Sequence, residues 1–377
     1  MKVVIAPDSF KESLTAKEVC QAVETGLKRV WQDAEFVHVP VADGGEGTVQ
    51  SLVDATDGKL VELSVTGPLN TPVDAFYGIL GDNATAVIEM AAASGLHHVP
   101  SDKRDPKLTT SLGTGELIKH ALDSGITKLI IGLGGSATND GGIGMLTALG
   151  AKFLDSEGNQ VTPNGAGLAQ IRDINVDELD SRLQQTNILV ACDVDNPLCG
   201  EHGASATFGP QKGATSNDVV YLDQGLKHYG AKVMLQLGKE VVNVPGAGAA
   251  GGMGAALIGF TSARLKAGID IVVETVQLSE RIEGADLVIT GEGRIDWQTV
   301  HGKTPMGVAR EAKKHSVPVI AMSGCVGENY QAVYDIGIEA VFAAVPRAMD
   351  LPTAFAESGI NLANLAENVA RIWSINK

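Results

Sequence analysis

The chain lacks any apolar run that approaches the length of a membrane span, and it begins without a secretory leader. Its first apolar run, Val3–Ala6, is short and has the character of a buried strand. Cysteine is also scarce, and the four residues show neither disulfide-framework nor zinc-binding spacing: Cys20, Cys192, Cys199 and Cys325. We therefore expect a cytoplasmic protein with no membrane partner.

Positive charge is the next shortage. The 377 residues include 29 Lys and Arg against 45 Asp and Glu, a net charge of −16, and no basic stripe is visible. Non-specific attraction to nucleic acid is therefore absent. An anionic substrate would have to be captured by a few placed cations or by backbone N–H groups.

Two common catalytic signatures are missing as well. The eight histidines show no H-x-x-x-H spacing, which argues against a zinc hydrolase. The Ser-Gly pairs at Ser94 and Ser323 are not part of a G-x-S-x-G elbow, so a serine hydrolase triad has no support.

Glycine is abundant, with 45 residues that cluster after short apolar runs, and the length of the chain favours two domains. Both ends alternate strand and helix. A capping box at Thr15 and Glu18 predicts a helix after the first strand, and Leu287–Thr290 is predicted as a strand near the other end. This alternation predicts a parallel sheet covered on both faces. We predict a Rossmann-like α/β domain from residues 1–60 and 285–377, with 105–150 as an optional addition. Residues 61–284 would form an inserted mixed α+β domain that begins with an antiparallel meander. The active site is expected in the cleft between the domains.

Two glycine loops carry polar groups suited to phosphate and metal. In "GLGGSATNDGG" a strand ends and a helix begins, so free N–H groups and the helix dipole favour an anion near Gly134, Gly135, Ser136 and Asn139. In "VADGGEGT" the carboxylates of Asp43 and Glu46 flank two glycines at a strand end, where they could hold Mg²⁺ or merely cap a helix.

The stretch "PGAGAAG" contains a literal G-x-G-x-x-G at Gly246, Gly248 and Gly251. It follows an apolar run, Val241–Val244, and a predicted strand at Ile271–Val273 ends in an acidic residue. This pattern supports an alternative function, an NAD(P)-dependent hydroxy-acid oxidoreductase. Against it stand the intervening proline and the late acidic residue, and close packing of a helix on a sheet explains the glycines equally well.

Acidic and basic residues meet again near the C-terminal end, in "TGEGRIDWQTVHGKT". The Gly-Lys-Thr at its end is not a P-loop, because Trp297 stands where that motif requires glycine. Elsewhere "ACDVDNPL" places Asp193 and Asp195 two apart, facing one way if they lie on a strand. Carboxylates, glycine loops and five loop cations suit phosphoryl transfer. Those cations are Lys11, Arg104, Lys212, Arg294 and Lys303.

The motifs together identify a family. "IAPDSFKESL", "VADGGEGT", "TTSLGTGEL", "GLGGSATNDGG", "VACDVDNPL", "FGPQKGA", "PGAGAAGGMGAA" and "VITGEGRID" occur in one order between residue 1 and about 345. In this series the chain resembles the bacterial glycerate kinases associated with glyoxylate and sugar-acid catabolism. The resemblance implies ATP-dependent phosphorylation of D-glycerate, with 2-phosphoglycerate favoured over 3-phosphoglycerate as the product.

The roles of single residues are predicted from chemistry. Ser9, Lys11, Glu292 and Arg294 would bind glycerate, and Asp193, Asp296 and Lys303 would act in catalysis. Asp43 and Glu46 would hold Mg²⁺. The ATP phosphates would contact Gly134, Gly135, Ser136, Asn139, Lys212, Gly291 and Gly293. A homodimer is one expected assembly, and a non-catalytic sugar-acid-binding regulator is a second alternative, disfavoured by the lack of a basic face.

Overall fold

The structure is a computed structural model that describes residues 1–375. Its strands are β1 Lys2–Ile5, β2 Glu35–His38, β3 Lys59–Thr66, β4 Pro72–Ile79, β5 Thr85–Glu89, β6 Lys128–Gly132, β7 Lys152–Leu154, β8 Asp173–Asn175, β9 Asn187–Ala191, β10 Arg264–Lys266, β11 Leu287–Thr290, β12 Arg294–Ile295, β13 Val319–Ser323, β14 Cys325–Val326 and β15 Ile338–Ala343.

The α-helices are α1 Ala16–Lys28, α2 Thr48–Ala55, α3 Ala91–Ser94, α4 Leu112–Asp123, α5 Ile143–Ala148, α6 Ala204–Phe208, α7 Ser216–Leu237, α8 Ala249–Phe260, α9 Gly268–Thr275, α10 Leu278–Ile282, α11 Thr304–Lys314, α12 Leu351–Ala356 and α13 Ser358–Trp373. Short 3₁₀ helices span Leu96–His98, Ser101–Lys103, Gly165–Gln170, Ser181–Gln184, Pro210–Lys212, Trp297–Val300 and Tyr330–Ile336. None of the helices in the described part of the chain is long and apolar enough to cross a membrane.

The chain forms two compact units. The first combines Met1–Gly58 with the chain from Gly268 onward, and the second is Lys59–Ala267. The return to the first unit thus comes earlier than the predicted boundary at 285. The reason is that Ile271–Val273 is not a strand, as predicted, but part of helix α9. Residues 105–150 belong to the second unit.

The first unit is built on a five-stranded, fully parallel sheet in the order β15-β13-β11-β1-β2. Counted within this unit alone, the strand order is 2-1-3-4-5, one of the two common doubly wound arrangements. The predicted α/β class with a parallel sheet is confirmed. The order reverses between β1 and β11, and ligands bind at the carboxyl ends of strands at such a point.

Helices α1 and α13 pack together over this sheet, covering apolar strand residues such as Val3 and Ile289. The predicted capping box that starts α1 is present, since Thr15 accepts from the backbone of Glu18 and the Glu18 carboxylate accepts from the backbone of Thr15. Together the caps and the apolar stripe fix the loop that joins β1 to α1.

The second unit contains a six-stranded mixed sheet in the order β10-β9-β6-β5-β4-β3. Strands β3, β4 and β5 pair antiparallel, as the predicted meander requires, while β5, β6, β9 and β10 are parallel. Its core includes the large buried rings of Tyr77, Phe153, Tyr229 and Phe260.

The glycine-rich stretch before and within α8 has a different structure from the dinucleotide fingerprint. The apolar run Val241–Val244, expected as a strand before the glycine loop, is irregular, so that expectation was wrong. Three consecutive residues adopt left-handed backbone: Ala250, Gly251 and Gly252. The N–H of Gly141 donates to the carbonyl of Gly251 at 2.9 Å. A Cβ at Gly251 would overlap the carbonyl oxygen of Thr138. The glycines therefore serve backbone-to-backbone packing, and the space that a pyrophosphate would need is filled by protein.

Gly251→Ala should destabilise the protein more than Gly238→Ala, although both glycines have φ of +67°. Alanine in left-handed backbone costs about 1 kcal/mol at either position. At Gly251 the overlap with Thr138 adds roughly 1–3 kcal/mol, whereas nothing lies within 4 Å of the added Cβ at Gly238. Chemical denaturation of the two variants measures the difference, and equal losses would contradict the packing role.

Candidate active site

A pocket of about 370 Å³ lies in the first unit, beyond the carboxyl ends of β1 and β11. The β1–α1 loop, the turn after β11 and the start of α11 supply its polar wall, and the segment around α12 supplies an apolar wall. The polar lining comprises Asp8, Ser9, Lys11, Ser13, Asp43, Glu292, Arg294, Lys303, Ser358 and Asn361. The remaining lining residues are Phe10, Gly293, Gly324, Cys325, Ala344, Val345, Leu351, Ala354 and Phe355.

Asp8 is the most closely held polar side chain of this pocket. Its Oδ1 accepts from the backbone N–H of Ser9 at 2.6 Å and lies 3.3 Å from the Ser9 hydroxyl. Its Oδ2 accepts from the hydroxyl of Thr304 at 2.6 Å. The N–H of Asp8 in turn donates to the carbonyl of Gly291 at 2.8 Å. The carboxylate thus joins the ends of β1 and β11 to the start of α11.

Three carboxylates share this site. Burial, together with the neighbouring charges of Asp43 and Glu292, raises the pKa of Asp8 to about 7, although the hydrogen bonds from Thr304 and Ser9 oppose the rise. Burial likewise raises the pKa of Glu292, although Thr299 and Lys303 oppose the rise. A carboxyl that titrates near neutrality is suited to accept a proton from a substrate hydroxyl.

Cations stand beside these acids. Lys303 is the N-cap residue of α11, and its Nζ lies 3.4 Å from Oε2 of Glu292. The other carboxylate oxygen of Glu292 accepts from the hydroxyl of Thr299 at 2.6 Å. The buried Glu292 therefore positions Lys303 at the polar wall. Lys11 is exposed and belongs to the same lining.

The turn after β11 packs closely against the backbone of β13. A Cβ at Gly291 would overlap the carbonyl oxygen of Met322, which explains the glycine at that position. Arg294 is largely exposed and its Nε lies 3.2 Å from Oδ2 of Asp296. Asp296 does not line the pocket, because its carboxylate caps the 3₁₀ helix Trp297–Val300. The carboxylate therefore has a structural role in this structure, and its catalytic role stays a prediction.

The predicted magnesium ligands separate in the structure. Asp43 lines the pocket, and its Oδ1 accepts from the N–H of Gly45 at 3.1 Å. Glu46 is exposed and is not part of the lining. Among residues 1–375 no group of three or more His, Cys, Asp or Glu side chains is arranged to hold a metal ion. Mg²⁺ commonly uses one or two carboxylates with water and phosphate oxygens, so Asp43 fits it better than Glu46.

The predicted phosphate loop lies in the second unit, and its side chains are turned inward. Lys212 is only 2% exposed, and its Nζ donates to the hydroxyl of Ser136 at 2.8 Å and to the carbonyl of Thr138 at 2.6 Å. Burial lowers the pKa of Lys212 to about 7, and Asp140 opposes the shift. Asn139 is fully buried and donates to the hydroxyl of Ser205 at 3.1 Å. In this structure these side chains shape the loop.

The start of α5 already carries an anion of its own. The carboxylate of Asp140 accepts from the N–H groups of Gly142 at 3.0 Å and Gly144 at 3.3 Å. An internal carboxylate therefore already satisfies N–H groups at the start of this helix, and phosphate binding by the loop stays a prediction. Gly134 and Gly135 are exposed, which leaves their backbone as the accessible part of the loop.

Two further predicted groups lie in the second unit. Asp193 and Asp195 were predicted to share one face if they lay on a strand. β9 ends at Ala191, so both residues follow the strand. Both are exposed, and neither lines the pocket of the first unit. The Nη1 of Arg104 lies 3.4 Å from the carbonyl oxygen of Gln211.

The sequence analysis missed Asp8 and Thr304. Asp8 follows the first strand in "APDSF", and the signal available was its position at the carboxyl end of a predicted parallel strand. Thr304 offered a weaker signal, since only its contact with Asp8 across 296 residues of sequence separation shows its role.

A doubly wound unit with carboxylates and cations at its switch point defines a class of protein that binds small anionic or phosphorylated ligands. Comparison with known proteins narrows the class. The sequence model described as "Glycerate kinase family" matches residues 3–374. The chain belongs to the glycerate kinase family.

Individual relatives agree over nearly the full length. The chain is 58% identical to "Glycerate kinase" of Haemophilus influenzae, covering 99% of this chain and 98% of that protein. It is 53% identical to "Glycerate 2-kinase" of Escherichia coli, with 100% and 98% covered. The crystal structure of a Salmonella typhimurium LT2 protein, whose name also refers to a glycerate kinase, superposes with a TM-score of 0.94 at 50% identity, covering 100% of this chain and 99% of that one.

The free energy of unfolding of Asp8→Asn, compared with that of the wild type at the same pH, should increase as the pH rises. The folded-state pKa of Asp8, about 7, lies above the ordinary value of 3.8, so its protonated form contributes stability at low pH that is lost as the pH rises through 7. Asparagine removes this loss, at most about 1.4 kcal/mol per pH unit. Thermal unfolding between pH 4.5 and 8 should show the variant gaining on the wild type, and a constant difference would contradict the assignment.

Proposed function

We propose that this protein is an ATP-dependent D-glycerate kinase that forms 2-phosphoglycerate. The observation that carries the proposal is the Asp8 carboxyl, with its pKa of about 7, held among Asp43, Glu292 and Lys303 at the switch point of a glycerate kinase family member. The name of the Escherichia coli relative supports phosphorylation at the 2-position.

In this proposal Asp8 takes the proton of the reacting hydroxyl, the role that the sequence assigned to Asp193 or Asp296. Its hydrogen bonds to Ser9 and Thr304 hold the carboxyl still, which keeps the base in one orientation. Lys11 and Arg294 attract the substrate carboxylate. Both are exposed and line the pocket, so they are accessible to an anion from solvent.

Lys303 would neutralise negative charge on the transferred phosphoryl group. Glu292 orients Lys303 through the 3.4 Å ion pair, and Asp43 is the carboxylate best placed to hold Mg²⁺ together with phosphate oxygens. Mg²⁺ supplies charge neutralisation on the phosphate oxygens. The backbone of Gly134 and Gly135, and that of Gly291 and Gly293, stays a predicted phosphate contact.

The oxidoreductase alternative loses its structural basis. A Cβ at Gly251 would overlap Thr138, one at Gly248 would overlap Pro197, and no strand lies directly before these glycines. The location of the active site in a cleft, the homodimer and the cytoplasmic location stay predictions.

Phosphorus NMR of the purified protein with ATP, Mg²⁺ and D-glycerate should show a phosphoglycerate resonance. Coupling of that phosphorus to one proton identifies 2-phosphoglycerate, whereas coupling to two protons identifies the 3-isomer. A reaction without enzyme and one without D-glycerate serve as controls. Intact ATP in the presence of folded protein would overturn the proposal.

Lys303→Met should lower kcat for glycerate phosphorylation at least about a hundredfold, because a cation that stabilises developing charge is removed. Lys313→Met is the matched control, since Lys313 is exposed near the far end of the same helix, and it should stay within about twofold of wild type. Thermal unfolding establishes that both variants fold. Near-normal turnover in Lys303→Met would remove this residue from the mechanism.

A further inference from the structure

The pocket of the first unit has two ends of different chemistry. One end holds the acids and cations described above, and the other is lined by Phe10, Val345, Leu351, Ala354 and Phe355. A three-carbon acid carries a charge and two hydroxyls and has no surface that needs such a wall. Ligand pockets of a few hundred cubic ångströms hold considerably larger molecules, mostly against apolar side chains with a few placed polar groups.

One polar side chain stands within the apolar end. Asn361, on the first turn of α13, lines the pocket and is only 8% exposed. Its backbone N–H donates to the carbonyl of Glu357. Within residues 1–375 no protein group bonds to its side-chain amide, which is not fully enclosed by protein and is therefore open to the pocket. Nearby Ser358 is satisfied, since it donates to the carbonyl of Phe355 at 2.9 Å and accepts from Ser13 at 2.6 Å.

An amide that is open to a pocket and has no protein partner can form both of its hydrogen bonds with a ligand. An asparagine amide offers one donor face and one acceptor face side by side. The edge of adenine presents the complementary pair, an exocyclic N–H donor beside a ring nitrogen acceptor, and Asn binds it with two hydrogen bonds. The flat, apolar faces of the base match the surrounding aliphatic and aromatic side chains.

We propose that the apolar end of this pocket is the adenine subsite of the nucleotide, and that Asn361 reads the edge of the base. The inference rests on the proposed kinase function, because it takes the phosphoryl donor to be an adenine nucleotide. The phosphates of the same nucleotide then extend toward Lys303 and the other cations of the polar end.

Asn361 also borders a smaller pocket of about 180 Å³ that is lined by Asn364, Leu365 and Asn368 on the same helix. This arrangement supplies a control. Asn368 is exposed, lies on α13 and lines only the smaller pocket, so replacing it changes the same kind of side chain without touching the proposed subsite.

Asn361→Leu should raise the KM for ATP and the Kd for ADP by at least about tenfold, the loss expected for one paired amide. The KM for D-glycerate should stay within about twofold. Asn368→Leu should leave all three constants unchanged. Titration calorimetry with ADP in the absence of D-glycerate gives the binding constant independently of turnover, and thermal unfolding shows that the variants fold.

Asn361→Asp gives a readout that a purely structural role would not move. A carboxylate only accepts hydrogen bonds, so it loses its bond to the adenine ring nitrogen and gains two donors from the edge of guanine. The ratio of kcat/KM for GTP to that for ATP should rise by about tenfold. An unchanged ratio together with an unchanged ADP affinity in Asn361→Leu would overturn the subsite.

Cys325 adds a direct probe of occupancy, because it is exposed and lines the same pocket. ADP should slow its alkylation in the wild type and should fail to do so at the same concentration in Asn361→Leu. Phosphoglycerate formation with unchanged constants in Asn361→Leu would defeat this inference alone. Loss of ADP binding in that variant would support the subsite even if D-glycerate proved not to be the acceptor.

Discussion

The hydrogen bond between Thr304 and Asp8 holds the polar pocket together. It joins residues 296 apart in sequence, and it becomes possible because β1 and β11 pair in parallel in the centre of one sheet. Once the two strands are adjacent, the loops beyond their carboxyl ends must share one edge. Asp8, Glu292 and Lys303 are then neighbours: the charge of Glu292 helps to raise the pKa of Asp8, and the charge of Lys303 opposes the rise in the pKa of Glu292.

That neighbourhood imposes an electrostatic condition. Asp8, Asp43 and Glu292 repel one another in a partly dry pocket, so at least one of them must be protonated or neutralised by a cation. Lys303 meets part of the condition through Glu292. Asp8 is the acid whose pKa is raised to about 7, mainly by burial and also by the charges of Asp43 and Glu292. The arrangement that costs stability in the empty protein is the one that supplies a base near neutral pH.

Much of the fold was predictable because its signals are local. The β-branched runs at Val3–Ala6 and Leu287–Thr290 predicted central strands, and the pattern of Thr15 and Glu18 predicted the start of α1. Short apolar runs without clear start signals were wrongly predicted as strands: Ile271–Val273 is helical and Val241–Val244 is irregular. A run of that length fits a buried helix turn as well as a strand.

The site was predicted in its elements more than in its individual residues. The position of loops at strand ends identified Lys303 and Glu292. In the structure Asp296 caps a 3₁₀ helix, and the buried Lys212 donates to the hydroxyl of Ser136. Asn361 was out of reach, because a lone asparagine in an amphipathic helix has the same sequence signal whether it faces solvent or an apolar pocket. Burial and the absence of a partner distinguish the two cases, and both require three dimensions.

The interior position of β1 in its sheet also constrains how the protein folds during synthesis. A ribosome completes β1 and β2 first, but the strand that pairs with the other edge of β1 follows only after the whole second unit. For that interval the apolar strand Val3–Ile5 has one open edge, which is a template for mispairing between chains. The second unit is continuous and complete by Ala267, so it can fold during synthesis while the first must wait. Slow translation of the second unit would therefore prolong the period in which nascent chains are prone to aggregate.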